Sequence, residues 1–363
     1  MKVCRYDEGN TPVFTCPYHG WSYAGDGSLV GVPRYKDAYR EELDKSQWGL
    51  VEVAQLANYK GTIWATWDPT APPFLEYVGD MQPYMSVFLN KPDGSEADLE
   101  VVGGVHKWTV PSNWKWGAEN FIGDSYHGRP THRSTDLIGT RPGGAMGRGL
   151  RRESPGNEVY MSVSHHGSGW RTGLRLSDNP YQPLFPGSPA IDVYLKEAHE
   201  KRQKLAVAKS RVLGNGGNIF PNGTFGAQLG MAVWHPQGPG ESEVWRWYFV
   251  DKDAPPEVRE LWRHYSMLYS GPVGVTEQDD SEAWGYAQKA SKGAIARRYS
   301  YNYAIGLGQE TQNGKHRMGE HGLMLHGLVI EGVAEQNQRA MYQMWAELMD
   351  GRSWDELRAA RDW

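Results

Sequence analysis

Short apolar runs separated by glycine, proline and aspartate make up residues 1–67. The segment VFTCPYHGWSYAGDGSLVGVP predicts a hairpin that turns at Gly25-Asp26-Gly27, and GTIWATWDP predicts another strand that ends at a proline. We therefore expect a small unit of β-strands over residues 1–67. The proline-rich segment DPTAPPFLEYVGD that follows is typical of a linker.

Residues 68–363 mix strand and helix patterns without a regular alternation of the two. NEVYMSVSHHG and VWRWYFVDKDAP have the composition of strands. Helices are predicted over about residues 192–213 and 255–269 and in SWDELRAARDW, and further helices begin near Asn113, Thr276 and Glu335. Strand runs combined with separate helices predict an α+β fold.

Composition excludes several classes of protein. Hydrophobic residues are 39% and charged residues 22% of the sequence, as in ordinary globular proteins. The net charge of −5 comes from interspersed residues of both signs, which disfavours nucleic acid or an anionic membrane surface as a partner. We find no apolar run of membrane-spanning length and expect no signal peptide. The only two cysteines exclude a disulfide framework, so we predict a cytoplasmic protein.

The first candidate site is the Cys-x-x-His formed by Cys16 and His19. A thiolate and an imidazole at this spacing can bind zinc or an iron–sulfur cluster. The alternative is a buried cysteine beside a hydrogen-bonded histidine. Trp21 and Tyr23 favour the cluster because they can shield it from water.

The stretch CPYHGWSY, followed by a Gly-x-Leu-x-x-Val-Pro stretch, resembles the second ligand loop of a Rieske [2Fe–2S] domain. In that family two loops each supply one cysteine and one histidine. The resemblance therefore implies Cys16 and His19 as half of the cluster ligands. The first loop, a Cys-x-His followed by Arg-Gly, is expected before Cys16 and is not found there. Tyr6 stands where its histidine would be, so we expect Cys4 not to be a ligand. The sequence would then begin inside a Rieske domain, as a fragment or after a missed upstream start.

The second candidate site lies in NWKWGAENFIGDSYHGRPTHRS, residues 113–134. Asn120, Asp124 and His127 are spaced so that they share one face of a helix. Gly128 and Pro130 disfavour its continuation, which leaves the next histidine, at position 132, free to converge on His127. Two imidazoles and a carboxylate form the site of non-haem Fe(II) oxygenases. The alternative is a polar helix face with two surface histidines.

The same stretch resembles the catalytic helix of ring-hydroxylating dioxygenase large (α) subunits, such as those acting on naphthalene and biphenyl. The resemblance implies that His127 and His132 bind iron. It further implies that Asp124 bridges to a Rieske histidine of a neighbouring subunit. Asn120 would lie beside the iron, and Phe121 would line the substrate pocket.

The third ligand is expected from VTEQDDSEAW, residues 275–284. Thr276 could equally cap a helix, with acidic residues in its first turn. Helical register does not decide between Asp279 and Asp280, but the family's motif implies Asp280. Glu277 and Asp279 are the alternatives.

The resemblance as a whole implies a partial Rieske β domain, residues 1–67, and a helix-grip (START-like) catalytic domain, residues 68–363. The catalytic domain would have an antiparallel sheet around a hydrophobic cavity. The reaction would add both atoms of dioxygen to an aromatic ring and give a cis-dihydrodiol. The cofactors would be a mononuclear Fe(II) and a [2Fe–2S] cluster whose ligand set is incomplete in this chain.

Electrons would come from NAD(P)H through a reductase and usually a ferredoxin. A small β subunit and a trimer of α–β pairs are implied as well, and this chain alone would be inactive. Two other functions stay open at this point. One is a cluster-less module that only binds an apolar ligand, and the other is a Rieske monooxygenase or demethylase. The sequence does not identify the aromatic substrate.

Overall fold

The computed structural model describes residues 9–91, 95–124, 126–134, 158–174, 189–208, 214–226, 230–309 and 325–360. The chain divides into two compact units, Met1–Phe74 and Leu75–Trp363. The domain boundary that the sequence predicts, between residues 67 and 68, stays a prediction.

The first unit is built from short antiparallel strands. Its described strands are β1 (Val13–Thr15), β2 (Ser22–Ala24), β3 (Leu29–Gly31), β4 (Gln55–Tyr59) and β5 (Thr62–Thr66). The sheet order is β1-β2-β3, and β4 and β5 form a separate hairpin. The predicted turn between β2 and β3 is present, because the Asp26 carboxylate accepts a hydrogen bond from the Ser28 amide at 2.9 Å. Gly27 adopts a φ of +83° there, which an L side chain rarely allows.

The core of this unit consists of Tyr23, Leu29 and Val32, with Trp21 among the partly buried residues packed against it. Three aromatic and aliphatic residues are a small core, so the turns between the short strands are fixed largely by hydrogen bonds. The loop that joins β1 to β2 carries Cys16 and is one of these turns.

A large antiparallel sheet organises the second unit. Its nine described strands continue the numbering as β6 (Leu99–Val101), β7 (His106–Val110), β8 (Glu158–Val163), β9 (Gly169–Leu174), β10 (Gly214–Ile219), β11 (Gly223–Gly226), β12 (Gly230–Gly238), β13 (Glu241–Asp251) and β14 (Leu328–Glu331). Neighbours follow the order β14-β8-β9-β10-β11-β12-β13-β6, and β7 also pairs with β13. Burial alternates along the first residues of β13, as expected for a strand with one face on the core.

The described α-helices are α1 (Phe74–Val78), α2 (Gln82–Phe88), α3 (Trp114–Gly123), α4 (Gly128–Thr131), α5 (Pro189–Ala208), α6 (Pro256–Tyr269), α7 (Val275–Ser291), α8 (Gln336–Met349) and α9 (Trp354–Ala359). The helices predicted from sequence are all present and the ends that fall on described residues agree to within a few residues, while residues 209–213 and 361–363 lie outside the described part of the chain. Mixed helices and an antiparallel sheet confirm the α+β class. Helix α1 lies in the proline-rich segment that the sequence suggested was a linker.

Helix α3 packs directly across strands β9 to β12. It approaches the sheet closely at Gly117, where an added Cβ would lie 2.3 Å from the Trp234 ring. The absence of a side chain at this position therefore sets the distance between the helix and the sheet. In the described part of the chain, no helix combines the length and apolar character needed to cross a membrane.

Candidate iron and iron–sulfur sites

Helix α3 delivers the first part of the site and ends earlier than its sequence predicts. The Asn113 side chain accepts a hydrogen bond from the Lys115 amide at 3.1 Å and so caps the start of the helix. The last helical residue is Gly123, and Asp124 is extended, with φ −71° and ψ 95°. The prediction that one helix face carries Asn120, Asp124 and His127 is therefore wrong in its geometry, although the chain still brings these residues together.

The two histidines lie at the ends of the short helix α4. His127 is its N-cap residue and His132 its C-cap residue, and their ring centres are 5.2 Å apart. From the sequence, Gly128 and Pro130 disfavour only the continuation of the preceding helix, and the structure has a separate short helix here. Proline is tolerated in a first helical turn, since its missing N–H would have no intrahelical acceptor there.

Helix α7 supplies the carboxylate. Asp280 Oδ1 lies 3.6 Å from Nε2 of His127 and 3.4 Å from Nε2 of His132. One ligand atom from each of the three residues lies within 4.8 Å of the others. His132 and Asp280 are buried, at 6% and 8% exposure, which keeps bulk water from competing for the site. Two neutral imidazoles and one carboxylate suit a non-haem Fe(II) ion and leave coordination positions open.

A second carboxylate faces the remote nitrogen of each histidine. Nδ1 of His127 lies 3.0 Å from Oδ1 of Asp124, and Nδ1 of His132 lies 3.3 Å from Oδ2 of Asp279. Such partners fix the tautomer and the orientation of a metal-binding imidazole. Sequence reasoning considered Asp279 only as an alternative ligand and missed this role. The sequence signal for this role was the adjacent acidic pair Asp279-Asp280, in which one residue can bind the metal while the other faces a histidine.

Asn120 lies beside His127 near the end of helix α3, while the next residue, Phe121, contacts Trp234 and Arg246. The Asn120 amide nitrogen is 3.3 Å from Nε2 of His127. Glu277, the other alternative ligand, does not join the group of three. Its carboxylate instead pairs with Arg246 in the interior.

The electrostatics are those of a site that takes up protons when it holds no cation. Burial raises the pKa of Asp280 to about 7, while the charge of His127 opposes that rise. Burial alone would lower the pKa of His127, but Asp124 and then Asp280 outweigh it, so that this pKa is raised. A divalent ion can replace these protons and stabilise the charged carboxylate.

In the first unit, Cys16 and His19 line a recess of about 590 Å³ together with Trp21 and Tyr23. Backbone N–H groups of Tyr18 and His19 lower the pKa of the Cys16 thiol, which favours the thiolate that a cluster needs. The recess and the thiolate fit half of a Rieske centre. Cys4 lies outside the described residues.

Comparisons with known proteins agree on one family. The family model described as "Ring hydroxylating alpha subunit (catalytic domain)" matches residues 97–351, and the Rieske [2Fe-2S] domain matches residues 2–56. The biphenyl dioxygenase α subunit of Paraburkholderia xenovorans (strain LB400) is 35% identical over 99% of this chain and 77% of the relative. The benzene 1,2-dioxygenase α subunit of Pseudomonas putida is 32% identical over 99% of this chain and 78% of its own length.

Solved structures give the same result. Naphthalene 1,2-dioxygenase from Rhodococcus sp., bound to indole, superposes with a TM-score of 0.73 and 32% identity. The superposition covers 97% of this chain and 79% of the Rhodococcus chain.

Proposed function

The chain belongs to the family of ring-hydroxylating dioxygenase α subunits, and from that premise we propose that it adds both atoms of dioxygen to one aromatic ring, giving a cis-dihydrodiol. The observation that carries the proposal is the convergence of His127, His132 and Asp280 within 4.8 Å. Its cofactors are a mononuclear iron and a Rieske [2Fe–2S] cluster. The iron supplies the oxygen chemistry when bound, and the protein supplies the geometry, the dry pocket and the path for electrons.

His127, His132 and Asp280 would hold the iron, with Asp124 and Asp279 orienting the two imidazoles. Asn120, beside His127, would limit access to one side of the site. Phe121 would form part of the apolar wall against which the aromatic ring lies. The roles of Asp124, Asp279 and Asn120 are supported by their distances to the two histidines.

Asp124 would also connect the iron site to an electron donor. Its side chain is 23% exposed, so one part of the carboxylate faces outward while another contacts His127. A donor imidazole from the Rieske domain of a neighbouring subunit could then hydrogen-bond to the outward part. Cys16 and His19 would hold half of the cluster in this chain's own first unit.

The expected partners follow from the family. Electrons would originate from NAD(P)H and arrive through a reductase, with or without a ferredoxin. A small β subunit and a trimer of α–β pairs would complete the assembly. Among the described residues, one thiolate from Cys16 and one imidazole from His19 line the cluster recess, which is half of the ligands that a [2Fe–2S] Rieske cluster needs.

A module that only binds an apolar ligand is the less favoured alternative, because such a module has no use for three buried, convergent metal ligands. Monooxygenation or demethylation would use the same iron site and differ only in the fate of the second oxygen atom.

Labelled dioxygen separates these functions. The protein, loaded with iron and the [2Fe–2S] cluster and supplied with a surrogate reductase, would be given mono- and bicyclic aromatics under ¹⁸O₂. A diol carrying two labelled oxygens from one dioxygen molecule is expected. A product with one labelled oxygen would instead establish monooxygenation, and ring binding without any product would establish the module.

A further inference from the structure

A buried ion pair lies one helical turn from the Asp280 carboxylate. Arg246 on β13 and Glu277 on α7 are 5% and 4% exposed. Two guanidinium nitrogens of Arg246 pair with the two carboxylate oxygens of Glu277. The Glu277 carboxylate also accepts a hydrogen bond from the Gly271 amide at 2.5 Å. The charge of Arg246 is thus fully balanced within the protein.

The guanidinium group retains donors that Glu277 does not use. Arginine carries five N–H donors and no acceptor, and the pairing with Glu277 involves two of its nitrogens. The guanidinium carbon lies 5.5 Å from the ring centre of Phe121 and 5.6 Å from that of Trp108. These contacts place the remaining donors beside the aromatic ring that we expect to line the substrate pocket.

The Tyr248 hydroxyl is the second unusual group. Tyr248 is 1% exposed, and within the described part of the chain its hydroxyl lies close to Ser270 and Arg246 but makes no hydrogen bond of good geometry with either. A buried hydroxyl without a partner loses free energy relative to one that is hydrogen-bonded, so such groups commonly serve a ligand or a water molecule. The hydroxyl of nearby Thr224 is different, because it donates to the Ala232 carbonyl at 3.3 Å and accepts from the Trp234 indole at 3.0 Å.

Phe121, Arg246 and Tyr248 line one small cavity, together with Thr224 and Ser270. Its volume of about 10 Å³ is enough for a single water-sized group and far too small for a ring. Two helices carry residues of both the cavity surroundings and the predicted iron site. Phe121 follows Asn120 on α3, and Glu277 precedes Asp280 on α7.

We propose that this cavity binds one neutral oxygen substituent of the aromatic substrate, and that Arg246 and Tyr248 select rings that carry such an oxygen. The inference rests on the proposed function and adds a substrate class to it. Both side chains can donate hydrogen bonds, so the group that fits is an acceptor, such as a carbonyl or hydroxyl oxygen. A carboxylate would bring an uncompensated charge into the interior, because Glu277 already balances Arg246.

The test compares two ring compounds of almost the same shape. The chain is loaded anaerobically with Fe(II), no reductant is added, and the Kd values of acetophenone, ethylbenzene and benzoate are measured by calorimetry. Acetophenone and ethylbenzene differ in a carbonyl against a methylene group, and benzoate tests a negative charge. We expect acetophenone to bind most tightly, and Tyr248→Phe to reduce its preference over ethylbenzene about fivefold.

Control variants show whether the effect belongs to the cavity. Tyr77→Phe removes another buried hydroxyl, which donates to the Phe220 carbonyl at 2.7 Å, and should leave the preference unchanged. The double variant Arg246→Met with Glu277→Gln removes both charges of the ion pair, so that neither is left unpaired. It should abolish the remaining preference for acetophenone over ethylbenzene. Arg259→Met with Glu100→Gln alters a distant ion pair in the same way and should have no effect on the preference.

Three results would overturn the inference. The first is an unchanged preference in Tyr248→Phe, which would mean that the cavity holds only a resident water. The second is tighter binding of benzoate than of acetophenone, and the third is no measurable binding of acetophenone. None of these concerns turnover. If the protein with both metal centres and a reductase gives a doubly labelled diol from ethylbenzene, yet shows no acetophenone preference in the binding test, the proposed function stands and this inference is lost.

Discussion

His127 and His132 each use one ring nitrogen toward Asp280 and the other toward a separate carboxylate. Asp124 serves the first histidine and Asp279 the second. A carboxylate oxygen within 3.3 Å of each Nδ1 can orient the imidazole toward the metal position, which lowers the entropy lost when a metal binds.

Replacement of one histidine tests the iron site directly. His127→Ala leaves one imidazole and one carboxylate, which hold a labile divalent ion poorly, so we expect the variant to lose nearly all bound Fe(II) after anaerobic loading and desalting. Iron content is measured by a colorimetric chelator assay. His264→Ala, at an exposed position on α6, is the matched control and should retain iron. Full iron content in His127→Ala would remove the ligand assignment.

We expect Asp279 to affect the affinity for Fe(II) rather than the number of Fe(II) ions bound. Asp279→Asn keeps the shape of the side chain but removes the charge that faces Nδ1 of His132 at 3.3 Å. Loss of such a partner typically weakens metal binding by about 10- to 100-fold. Competition with a chelator of known affinity measures this change. Asp253→Asn, which lies at a surface ion pair with Lys91, provides the control, and equal affinities in the two variants would contradict the role.

Glu119 offers a test by pH. Burial raises its pKa, and the charges of Asp124 and Glu335 add to that rise, while hydrogen bonds from Tyr342 and Tyr303 oppose it. The folded state therefore holds the proton more tightly than the unfolded state. Above the usual glutamate pKa of 4.5, the folded protein is penalised increasingly until the raised pKa is passed.

Glu119→Gln removes that penalty. We expect the midpoint of thermal unfolding of the variant, relative to the parent, to increase as the pH is raised from about 4 to 8. Glu260→Gln is the control, because Glu260 is exposed and Arg263 lowers its pKa, so its effect should be small and without this trend. A pH-independent difference for Glu119→Gln would contradict the assigned shift.

At the scale of elements, the contact between α3 and the sheet depends on a single missing side chain. Alanine favours a helix over glycine by about 1 kcal/mol, but at position 117 its Cβ would lie 2.3 Å from the Trp234 ring. The clash should outweigh the propensity, so we expect Gly117→Ala to destabilise the protein by about 1–3 kcal/mol in chemical denaturation.

Gly238→Ala is the matched control for that prediction, since its added Cβ would meet no atom within 4 Å. Displacement of α3 would also move Asn120 and the histidines that follow, so Gly117→Ala should weaken iron binding as well. A Gly117→Ala protein as stable as the control would show that the helix can shift without cost.

The elements themselves could be predicted well, because their information is local. Helix α7 follows from an acidic first turn and its periodicity, and the turn at Gly25-Asp26-Gly27 from residues that suit it. The end of α3 could not be predicted in this way. Gly123, its last residue, is buried against Gln338 of α8, where a Cβ would lie 2.9 Å from the amide oxygen, and such a contact with a helix far along the chain is not visible in the local sequence.

The candidate site shows the same division at the scale of the whole molecule. His127 and His132 stand in one stretch with a recognisable motif, and the sequence predicted them together. Asp279, the partner of His132, lies 147 residues further along the chain. Glu277, the partner of Arg246, lies on helix α7, whereas Arg246 lies on strand β13. No local pattern specifies which of several acidic side chains will face a given imidazole or guanidinium, since strand order and helix packing decide it.

That separation along the chain has a thermodynamic consequence. An ion held by His127, His132 and Asp280 would act as a cross-link that closes a loop containing most of the large sheet. It would restrict the unfolded chain as a long-range covalent bridge does and couple the opening of α4 to that of α7. Amide hydrogen exchange should therefore slow in both segments together when Fe(II) is added, although they are distant in sequence. Independent responses of the two segments would mean that the ion is held from one side only.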